Sequence, residues 1–221
     1  MTSRFEPMSL TRPGVSDKGN QQILEAAAEA FNRRGFAATS IDDIADALGA
    51  TKGRIYHYYR SKLDIFLDVL VASMRDLLEK LQPILTDSER SPEQRLYDAA
   101  YMHATTMMTR RSFSRVAIQG LEAPVLAEAQ TKRADAVNLF IGLRDRYEDG
   151  FADLVEQGRA SGVFRDVDPR LATKPIFGAL NWINMWYDPA QESQAGVAAI
   201  AEEFAVFIVN GLRRREPVPG P

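Results

Sequence analysis

Residues 51–62, TKGRIYHYYRSK, combine side chains that bind phosphate with side chains that can read the edge of a base. They include four Lys or Arg, no Asp or Glu, three tyrosines and one of the chain's two histidines. Lys and Arg neutralise phosphates and can donate to guanine in the major groove, while phenol and imidazole groups can donate to phosphate oxygens. A solvated helix face is the simpler interpretation of so short a basic run, so the flanking residues must decide.

Helical spacing divides this segment into an inner and an outer face. Ile55 and Tyr59 are four residues apart, so both are expected to face inward. Gly53 has no side chain, which lets the helix start approach a phosphate or a base, and the backbone N–H groups there favour phosphate. Lys62 is expected to add a cation beside the same DNA backbone. The side chains predicted on the outer face are Lys52, Arg54, Tyr56, His57 and Tyr58.

Two short helices joined by a glycine-containing turn are predicted to position this segment. Ser40 predicts an N-cap, Asp43 completes a capping box three residues later, and Gly49 predicts the end of that helix. Thr51 then predicts the N-cap of a second helix over 52–58. Two capped helices with such a turn are typical of a helix-turn-helix, which favours a DNA-contacting face over a merely solvated one.

Helical periodicity continues through the rest of the chain, so the fold class is predicted to be all-α. An earlier helix is expected over 17–34 with Gly35 as its stop, and a longer one from Ser61 that Pro83 limits. The polar segment 86–92 predicts a domain boundary. Later helical patterns cover 93–109, 124–161, 169–187 and 194–212, with starts at Ser91-Pro92 and Asp168-Pro169 and a stop at Gly162.

The charge distribution confines the basic surface to the N-terminal part of an acidic chain. The 221 residues carry a net charge of −3, yet residues 1–62 hold nine Lys and Arg against seven Asp and Glu. The absence of cysteine suits a cytoplasmic protein, and no apolar run approaches the roughly 20 residues of a membrane span. Residues 1–16 lack the apolar core of a signal peptide and are expected to form a loose arm, with 214–221 as a frayed tail.

Little in the sequence supports catalysis, a metal or a cofactor. The chain has no cysteine, no glycine-rich phosphate loop and no metal-type spacing of its two histidines. The carboxylate pairs at 42–43 and 202–203 are expected at exposed helix positions, as caps or solvated faces. We therefore predict a protein that is not an enzyme and uses no cofactor. A helical ligand-binding or scaffold protein without DNA-binding activity is the alternative to a DNA-binding one.

Residues 175–187, PIFGALNWINMWY, form a nearly all-apolar helix that is expected to be buried on two sides. Asn181 and Asn184 share one face with Phe177, and buried amides must find partners in the chain, in a second subunit or in a ligand. Pro175 is expected to kink or restart this helix, and His103 to be a packed or exposed residue rather than a ligand contact. The predicted lining of an effector pocket is Tyr101, Met102, Thr105, Met108, Phe113, Phe140, Arg144, Tyr147, Phe177, Asn181 and Asn184.

The same helix and the last one carry apolar side chains suited to self-association. Packed against their symmetry mates, the two helices would form a four-helix bundle in a homodimer. Plain core packing is the alternative for the two tryptophans. The residues predicted at the dimer interface are Trp182, Trp186, Val197, Ile200, Ala201, Phe204 and Ile208.

Residues 23–67 closely resemble the N-terminal DNA-binding domain of TetR-family transcriptional regulators. The resemblance rests on A-x-x-x-F-x-x-x-G-F at 27–36, T-S-I-x-D-I-A at 39–45 and G-x-I-Y-x-Y-Y-x-S-K at 53–62. The rest of the chain agrees with the family mainly in helix order and length. By position, the resemblance implies a phosphate contact at Ser40, base-proximal residues at Lys52, Gly53 and Arg54, and contacts to the DNA backbone from Tyr56, His57, Tyr58 and Lys62.

The resemblance also implies a ligand-responsive repressor that acts as a homodimer on a palindromic operator. The helix-turn-helix domain would span 17–62 and a ligand-binding and dimerisation domain 63–213, with 61–82 as the connecting helix. A small, largely apolar effector would change the spacing of the two recognition helices and release the operator. The run GALNWINMWYDP is similar to relatives that respond to acyl-CoA thioesters, and other large apolar ligands remain open.

Overall fold

A computed structural model describes residues 16–119, 123–190 and 194–214, and within them ten α-helices follow one another. Apart from one isolated bridge between Phe164 and Arg213, these residues form no β-structure, which confirms the all-α prediction. The predicted arm and tail lie outside the described residues except for Ser16 and Arg214. The helices are α1 Asp17–Ala38, α2 Ile41–Leu48, α3 Lys52–Tyr58, α4 Lys62–Thr86, α5 Pro92–Thr109, α6 Arg111–Gln119, α7 Ala123–Lys132, α8 Ala134–Ala160, α9 Pro169–Trp186 and α10 Gln194–Leu212.

The helices form two compact units, and neither unit is one continuous stretch. The first contains the described residues up to Arg75 together with Ser112–Leu143, and the second contains Asp76–Arg111 and the chain from Arg144 onward. The division therefore differs from the predicted boundary after residue 62 and from the one at 86–92. Two long helices, α4 and α8, contribute residues to both units. In the described ranges, no helix has the length and apolar character to span a membrane.

In the first unit, α1, α2 and α3 surround an apolar core that holds the recognition segment in place. Ile44 of α2 and Ile55 of α3 are fully buried, and Phe31 meets Phe66 edge to face with ring centres 5.5 Å apart. The predicted capping box between Ser40 and Asp43 is present. Such buried side chains orient α3, because a helix of seven residues is not stable alone.

All three glycines that were predicted as helix stops, Gly35, Gly49 and Gly162, have positive φ, where a side chain would be strained. Gly49 ends α2 in the left-handed conformation with φ 63°, and its N–H donates to the carbonyl of Asp46. Gly35 has φ 74° and interrupts α1 near its end. The turn between α2 and α3 therefore follows from glycine chemistry.

Two side-chain contacts attach the segment after α5 to the helix-turn-helix within the first unit. The buried carboxylate of Asp64, at the start of α4, accepts from Arg133 Nε at 2.5 Å and from a second Arg133 nitrogen at 3.3 Å. Ser112 Oγ of α6 donates to Glu29 of α1 at 2.7 Å. A buried carboxylate without its cation is destabilising, so the Arg133 pair stabilises the folded unit.

In the second unit, α5 packs against α9 and α10. The capping box of Ser91 and Gln94 and the N-cap of Asp168 are present as predicted. Arg95 is nearly buried, and it donates to the carbonyl of Leu85 at 3.1 Å and to Gln157 at 2.5 Å. These contacts hold the start of α5 against the ends of α4 and α8.

Several predicted helix boundaries are wrong. Pro83 does not end α4, which continues to Thr86, and Pro175 lies inside a continuous α9. Each proline removes only one backbone hydrogen bond, and the bonds on either side keep the helix intact. The expected single segment 124–161 is divided at Arg133, and the periodicity did not predict α6.

Candidate DNA-binding face and sensor core

The recognition helix α3 turns its polar residues outward and buries the residues predicted to face inward. Ile55 and Tyr59 are buried, whereas Lys52, Gly53, Arg54, Tyr56 and His57 are exposed. Thr51 precedes the helix as predicted, although its side chain makes no capping bond. The exposed residues form one edge, which we call the α3 outer face.

The Tyr59 hydroxyl anchors the end of α3 to two other helices. It lies 2.5 Å from Asn20 Oδ1 of α1 and 3.0 Å from Asp68 Oδ2 of α4, and its proton is shared between these acceptors. Burial is the main cause that raises the pKa of Tyr59, and the Asp68 carboxylate raises it further. The phenol therefore stays protonated, and it fixes the orientation of α3 relative to α1 and α4.

The predicted outward orientation of Tyr58 is wrong. Its ring is buried against the first turn of α1, where a side chain at Gly19 would come within 1.9 Å of the hydroxyl oxygen. That hydroxyl lies 3.3 Å from Ser16 Oγ, which caps α1 by accepting from the Gly19 N–H. The glycine leaves the space that the phenol ring fills, so Tyr58 positions α1 instead of projecting from the α3 outer face.

Lys62 contacts groups of its own chain, and its predicted contact with the DNA backbone stays a prediction. Its ammonium donates to the carbonyls of Phe36 and Thr39, both at 2.6 Å, and lies 4.4 Å from the centre of the Phe36 ring. Partial burial is the main cause that lowers the pKa of Lys62. The end of α1 leaves carbonyl groups without helical partners, and Lys62 satisfies them.

Ser40 lies at the exposed start of α2, and its hydroxyl is already engaged in the capping box. It donates to Asp43 Oδ2 at 2.7 Å and accepts from the Asp43 N–H at 3.1 Å. The Ser40 side-chain hydrogen bond is the first cause that lowers the pKa of Asp43. A phosphate contact from Ser40 stays a prediction.

Each cation of the α3 outer face has a partner from another helix. Lys52 Nζ donates to Asp42 Oδ2 of α2 at 2.9 Å, and this hydrogen bond raises the pKa of Lys52. Arg54 donates to Gln22 Oε1 of α1 at 2.8 Å. All four side chains are exposed, and each cation keeps further N–H groups for a polyanion.

In the second unit, His103 is the centre of a buried cluster that the sequence did not reveal. Its Nε2 lies 3.2 Å from Asn181 Oδ1 and its Nδ1 lies 2.9 Å from the Tyr147 hydroxyl, with the rings of Phe151 and Phe177 close by. Since Asn181 Oδ1 can only accept, Nε2 carries the proton and Tyr147 donates to Nδ1. Burial lowers the pKa of His103 to about 4 and raises the pKa of Tyr147.

Asn184 differs from Asn181 because one of its polar atoms has no partner. Its side chain is 2% exposed, and Nδ2 donates to Met107 Sδ at 3.0 Å. Asn184 Oδ1 is buried and accepts no hydrogen bond from the described part of the chain, and Thr105 Oγ1 is in the same condition. Such atoms are rare in folded proteins and mark positions where a ligand hydrogen bond would be favourable.

The other predicted effector residues have varied environments. Met108, Phe113 and Phe140 are buried, while Tyr101 and Met102 are half-buried and Arg144 pairs with Asp145 at 3.2 Å. Phe113 and Phe140 belong to the first unit and the remainder to the second. Two surface grooves of the second unit, of about 800 and 410 Å³, are lined by other residues. The larger is lined by Asp149, Ala152, Asp153, Glu156, Arg159, Asp166, Val167, Asp168, Pro169 and Arg170.

Some of the predicted dimer residues are exposed to solvent, and others are buried within the chain. Trp182 and Trp186 are 62% and 46% exposed, and Phe204 stacks on Trp186 with ring centres 6.3 Å apart. Ala201 and Ile208 are buried within the chain, so their assignment to the interface is wrong: α10 turns that side inward, and it packs on α5. Val197 and Ile200 are half-buried. The sequence analysis missed four exposed apolar residues of α9 and α10, which are Leu171, Met185, Val206 and Phe207.

Comparison with known proteins identifies the family. The sequence model described as bacterial regulatory proteins, tetR family, matches residues 23–69, and that of the tetracyclin repressor-like C-terminal domain matches 89–212, more than half of the chain. The chain belongs to the TetR family. The predicted family and its DNA-binding, regulatory role are thus confirmed.

Relatives along nearly the whole chain agree with this assignment. The HTH-type transcriptional repressor KstR2 of Mycolicibacterium smegmatis is 24% identical over 213 residues, which cover 95% of this chain and 98% of the repressor. The TetR-family regulator PfmR from Thermus thermophilus is 29% identical with a TM-score of 0.73, covering 87% and 99%. AibR, crystallised with isovaleryl coenzyme A and operator DNA, is 23% identical with a TM-score of 0.68 over 88% and 98%, which shows a shared fold.

Replacing Lys62 by Met keeps an apolar stem and removes the ammonium group. We expect the free energy of unfolding to fall by about 1–3 kcal/mol, because buried carbonyls lose a charged donor. The salt dependence of DNA binding should not change. Arg60→Met removes an exposed cation nearby and should leave stability unaltered. Unchanged stability of the Lys62 variant, with a salt slope of DNA binding smaller by about one, would instead support the predicted contact of Lys62 with a DNA phosphate.

The buried His103 predicts a pH dependence of stability. Its folded pKa of about 4 lies below the reference value of 6.5, so the unfolded chain binds more protons and stability falls as pH decreases from 6.5 towards 4. The free energy of unfolding lost over this pH range is about 3 kcal/mol. Denaturant unfolding between pH 7.5 and 4.5 should show a weaker dependence in His103→Gln than in the parent. His57→Gln, at an exposed position, should keep the parent profile, and the same profile in His103→Gln would contradict the prediction.

Proposed function

We propose that the chain is a repressor that binds a palindromic operator as a homodimer and is released by a small, largely apolar effector. The observation that carries the proposal is the α3 outer face, which presents Lys52, Arg54, Tyr56 and His57 on a helix whose other side is anchored through Tyr59. A regulator of this kind acts in the cytoplasm, where its DNA is. The family assignment favours it over a helical scaffold without DNA-binding activity.

Within this proposal, Lys52, Gly53 and Arg54 lie next to the bases, and Ser40, Tyr56 and His57 lie next to phosphates. The surroundings of Gly53 support a close approach, since the atom nearest to an added Cβ would be Thr51 Oγ1 at 3.8 Å. The protein itself therefore has room for a side chain there. A glycine lowers helix stability, and the close approach of DNA is the reason we propose for its presence here.

The exposed apolar face of α9 and α10 supports the homodimer. Leu171, Trp182, Met185 and Phe207 are each more than 60% exposed, which is unusual for such large apolar side chains in contact with water. A two-fold axis would bring the same face of a second copy against it and bury these residues. Two recognition helices related by that axis would match a palindromic site.

The first test is operator binding. Duplexes selected from a random pool by the parent protein should bind with an affinity that falls steeply with salt. Arg54→Ala should cost about 1–3 kcal/mol on the selected operator and relax preference at one base pair. Arg33→Ala, which removes an exposed cation of α1, serves as the control and should leave sequence preference unchanged. Failure of the parent protein to enrich any duplex would refute the proposal.

For the effector, we propose an acyl-CoA thioester or a ligand with the same combination of an apolar chain and N–H donors. AibR was crystallised with isovaleryl coenzyme A, and its fold is shared by this chain. Asn184 Oδ1 offers a buried acceptor without a partner in the described residues, and it lies one helical turn after Asn181, which contacts His103. The pantetheine arm of an acyl-CoA carries amide N–H groups that would satisfy such an acceptor.

Replacing Asn184 by Leu should separate stability from ligand response. We expect a gain of about 1–2 kcal/mol in the free energy of unfolding, because a buried unpaired acceptor is removed. Thermal shifts with acyl-CoAs of increasing chain length, and free coenzyme A as the control ligand, should be lost in this variant. Asn181→Leu is the matched control and should be destabilised, since His103 Nε2–H then loses its acceptor. An unaltered ligand response in Asn184→Leu would contradict the assignment.

A further inference from the structure

Asp42 is a carboxylate placed beside a surface that has to meet phosphates. It lies in the first turn of α2, two residues after Ser40, and 60% of its side chain is exposed. Its Oδ2 accepts from Lys52 Nζ at 2.9 Å across the helix-turn-helix turn. An acidic group at this position lowers the affinity for any polyanion. This loss of affinity is compensated if the group improves discrimination between DNA sequences.

The capping of α2 does not need Asp42. The first turn is closed by Ser40 and Asp43, which satisfy each other's backbone N–H groups, and Asp43 also pairs with Arg34. The structural contribution left to Asp42 is the interaction of a carboxylate with the helix start. Its specific contact is the one with Lys52.

The pair changes what Lys52 can do. The ammonium group has three donors, one of which is held by Asp42, and the charge of the pair is close to neutral. A paired Lys52 releases fewer counterions from a phosphate backbone, yet it keeps two N–H groups for an acceptor. Guanine O6 and N7 in the major groove are such acceptors, and they are found only at particular sequences.

Arg54 provides the contrast within the same face. Its partner, Gln22, is a neutral amide that accepts one N–H at 2.8 Å and leaves the positive charge uncompensated. Arg54 therefore adds to general affinity for DNA as well as to base reading. Lys52 and Arg54 therefore differ in the charge of their partners, and of the two only Lys52 is paired with a carboxylate.

We propose that Asp42 is a specificity-determining residue, which acts through its ion pair with Lys52 to keep that cation from binding phosphates and to direct it to a base. The inference rests on the proposed operator binding. Asp42 is thus a positioning residue. Removing its charge increases the affinity for non-specific DNA more than the affinity for the operator. The Asp42–Lys52 ion pair lowers the affinity for DNA in general and raises the ratio of operator affinity to non-specific affinity.

The chain contains a matched control for this inference. Asp46 lies one helical turn after Asp42 on α2, is also exposed, and forms no side-chain hydrogen bond or ion pair within the described residues. Asp42→Asn and Asp46→Asn therefore remove the same charge from the same helix. Only the first variant releases Lys52, so the difference between them isolates the ion pair.

The experiment measures binding of the full chain to its selected operator and to a random duplex, at four salt concentrations. For Asp42→Asn we expect non-specific affinity to rise roughly five- to tenfold at 0.1 M salt and the salt slope to steepen by about one. Operator affinity should rise less, so the specificity ratio should fall about fivefold. Asp46→Asn should raise both affinities by the same smaller factor, and thermal unfolding should show that both variants are folded.

A double variant tests whether Asp42 acts through Lys52. In a Lys52→Gln background, Asp42→Asn should have the same effect as Asp46→Asn, because there is no cation left to release. Equal effects of Asp42→Asn and Asp46→Asn in the parent, with operator binding intact, would overturn this inference alone. A parent protein that binds no selected duplex would overturn the proposed function as well, so the two failures are distinguishable.

Discussion

The shared hydrogen bond of the Tyr59 hydroxyl is the interaction on which the DNA-facing geometry depends. A seven-residue helix has little stability of its own, so its direction must come from tertiary contacts. Tyr59 provides them to Asn20 of α1 and Asp68 of α4, and Ile55 adds the apolar contact. Every side chain of the α3 outer face takes its position from this anchor, because one short helix of about two turns carries them all.

The basic segment owes its composition to two separate requirements. Lys52 and Arg54 remain exposed, whereas Lys62 donates hydrogen bonds to carbonyls at the end of α1. Tyr58 and Tyr59 likewise fix helices, and Tyr56 alone among the three tyrosines faces solvent. Four of the seven fixed residues of the motif at 53–62, Ile55, Tyr58, Tyr59 and Lys62, therefore contribute to the geometry of the domain. The same residue types serve both purposes, since cations bind carbonyl oxygens and phosphates alike.

Local chemistry made much of the fold predictable, and long-range partners made the rest unpredictable. The capping boxes at Ser40 and Ser91 and the stop at Gly49 depend on residues three or four apart, and all are present. The partners of Arg54 and Lys62 lie more than 20 residues away along the chain, and Tyr147 lies 44 residues from His103. Such pairs leave no periodic signal, so the burial of Tyr58 and the carbonyl contacts of Lys62 were not predicted. The helix breaks predicted at Pro83 and Pro175 were wrong for the opposite reason. The local rule that proline interrupts a helix did not hold, because the backbone hydrogen bonds on either side keep both helices continuous.

Two contacts within the first unit tie the start of α4 to the recognition helix. Arg133, directly before α8, donates to the buried carboxylate of Asp64 in the first turn of α4. A buried carboxylate that loses its cation is destabilising, so this pair helps to fix the start of α4. Since α4 also carries Asp68, the acceptor of Tyr59, the orientation of the recognition helix depends on the same turns of α4.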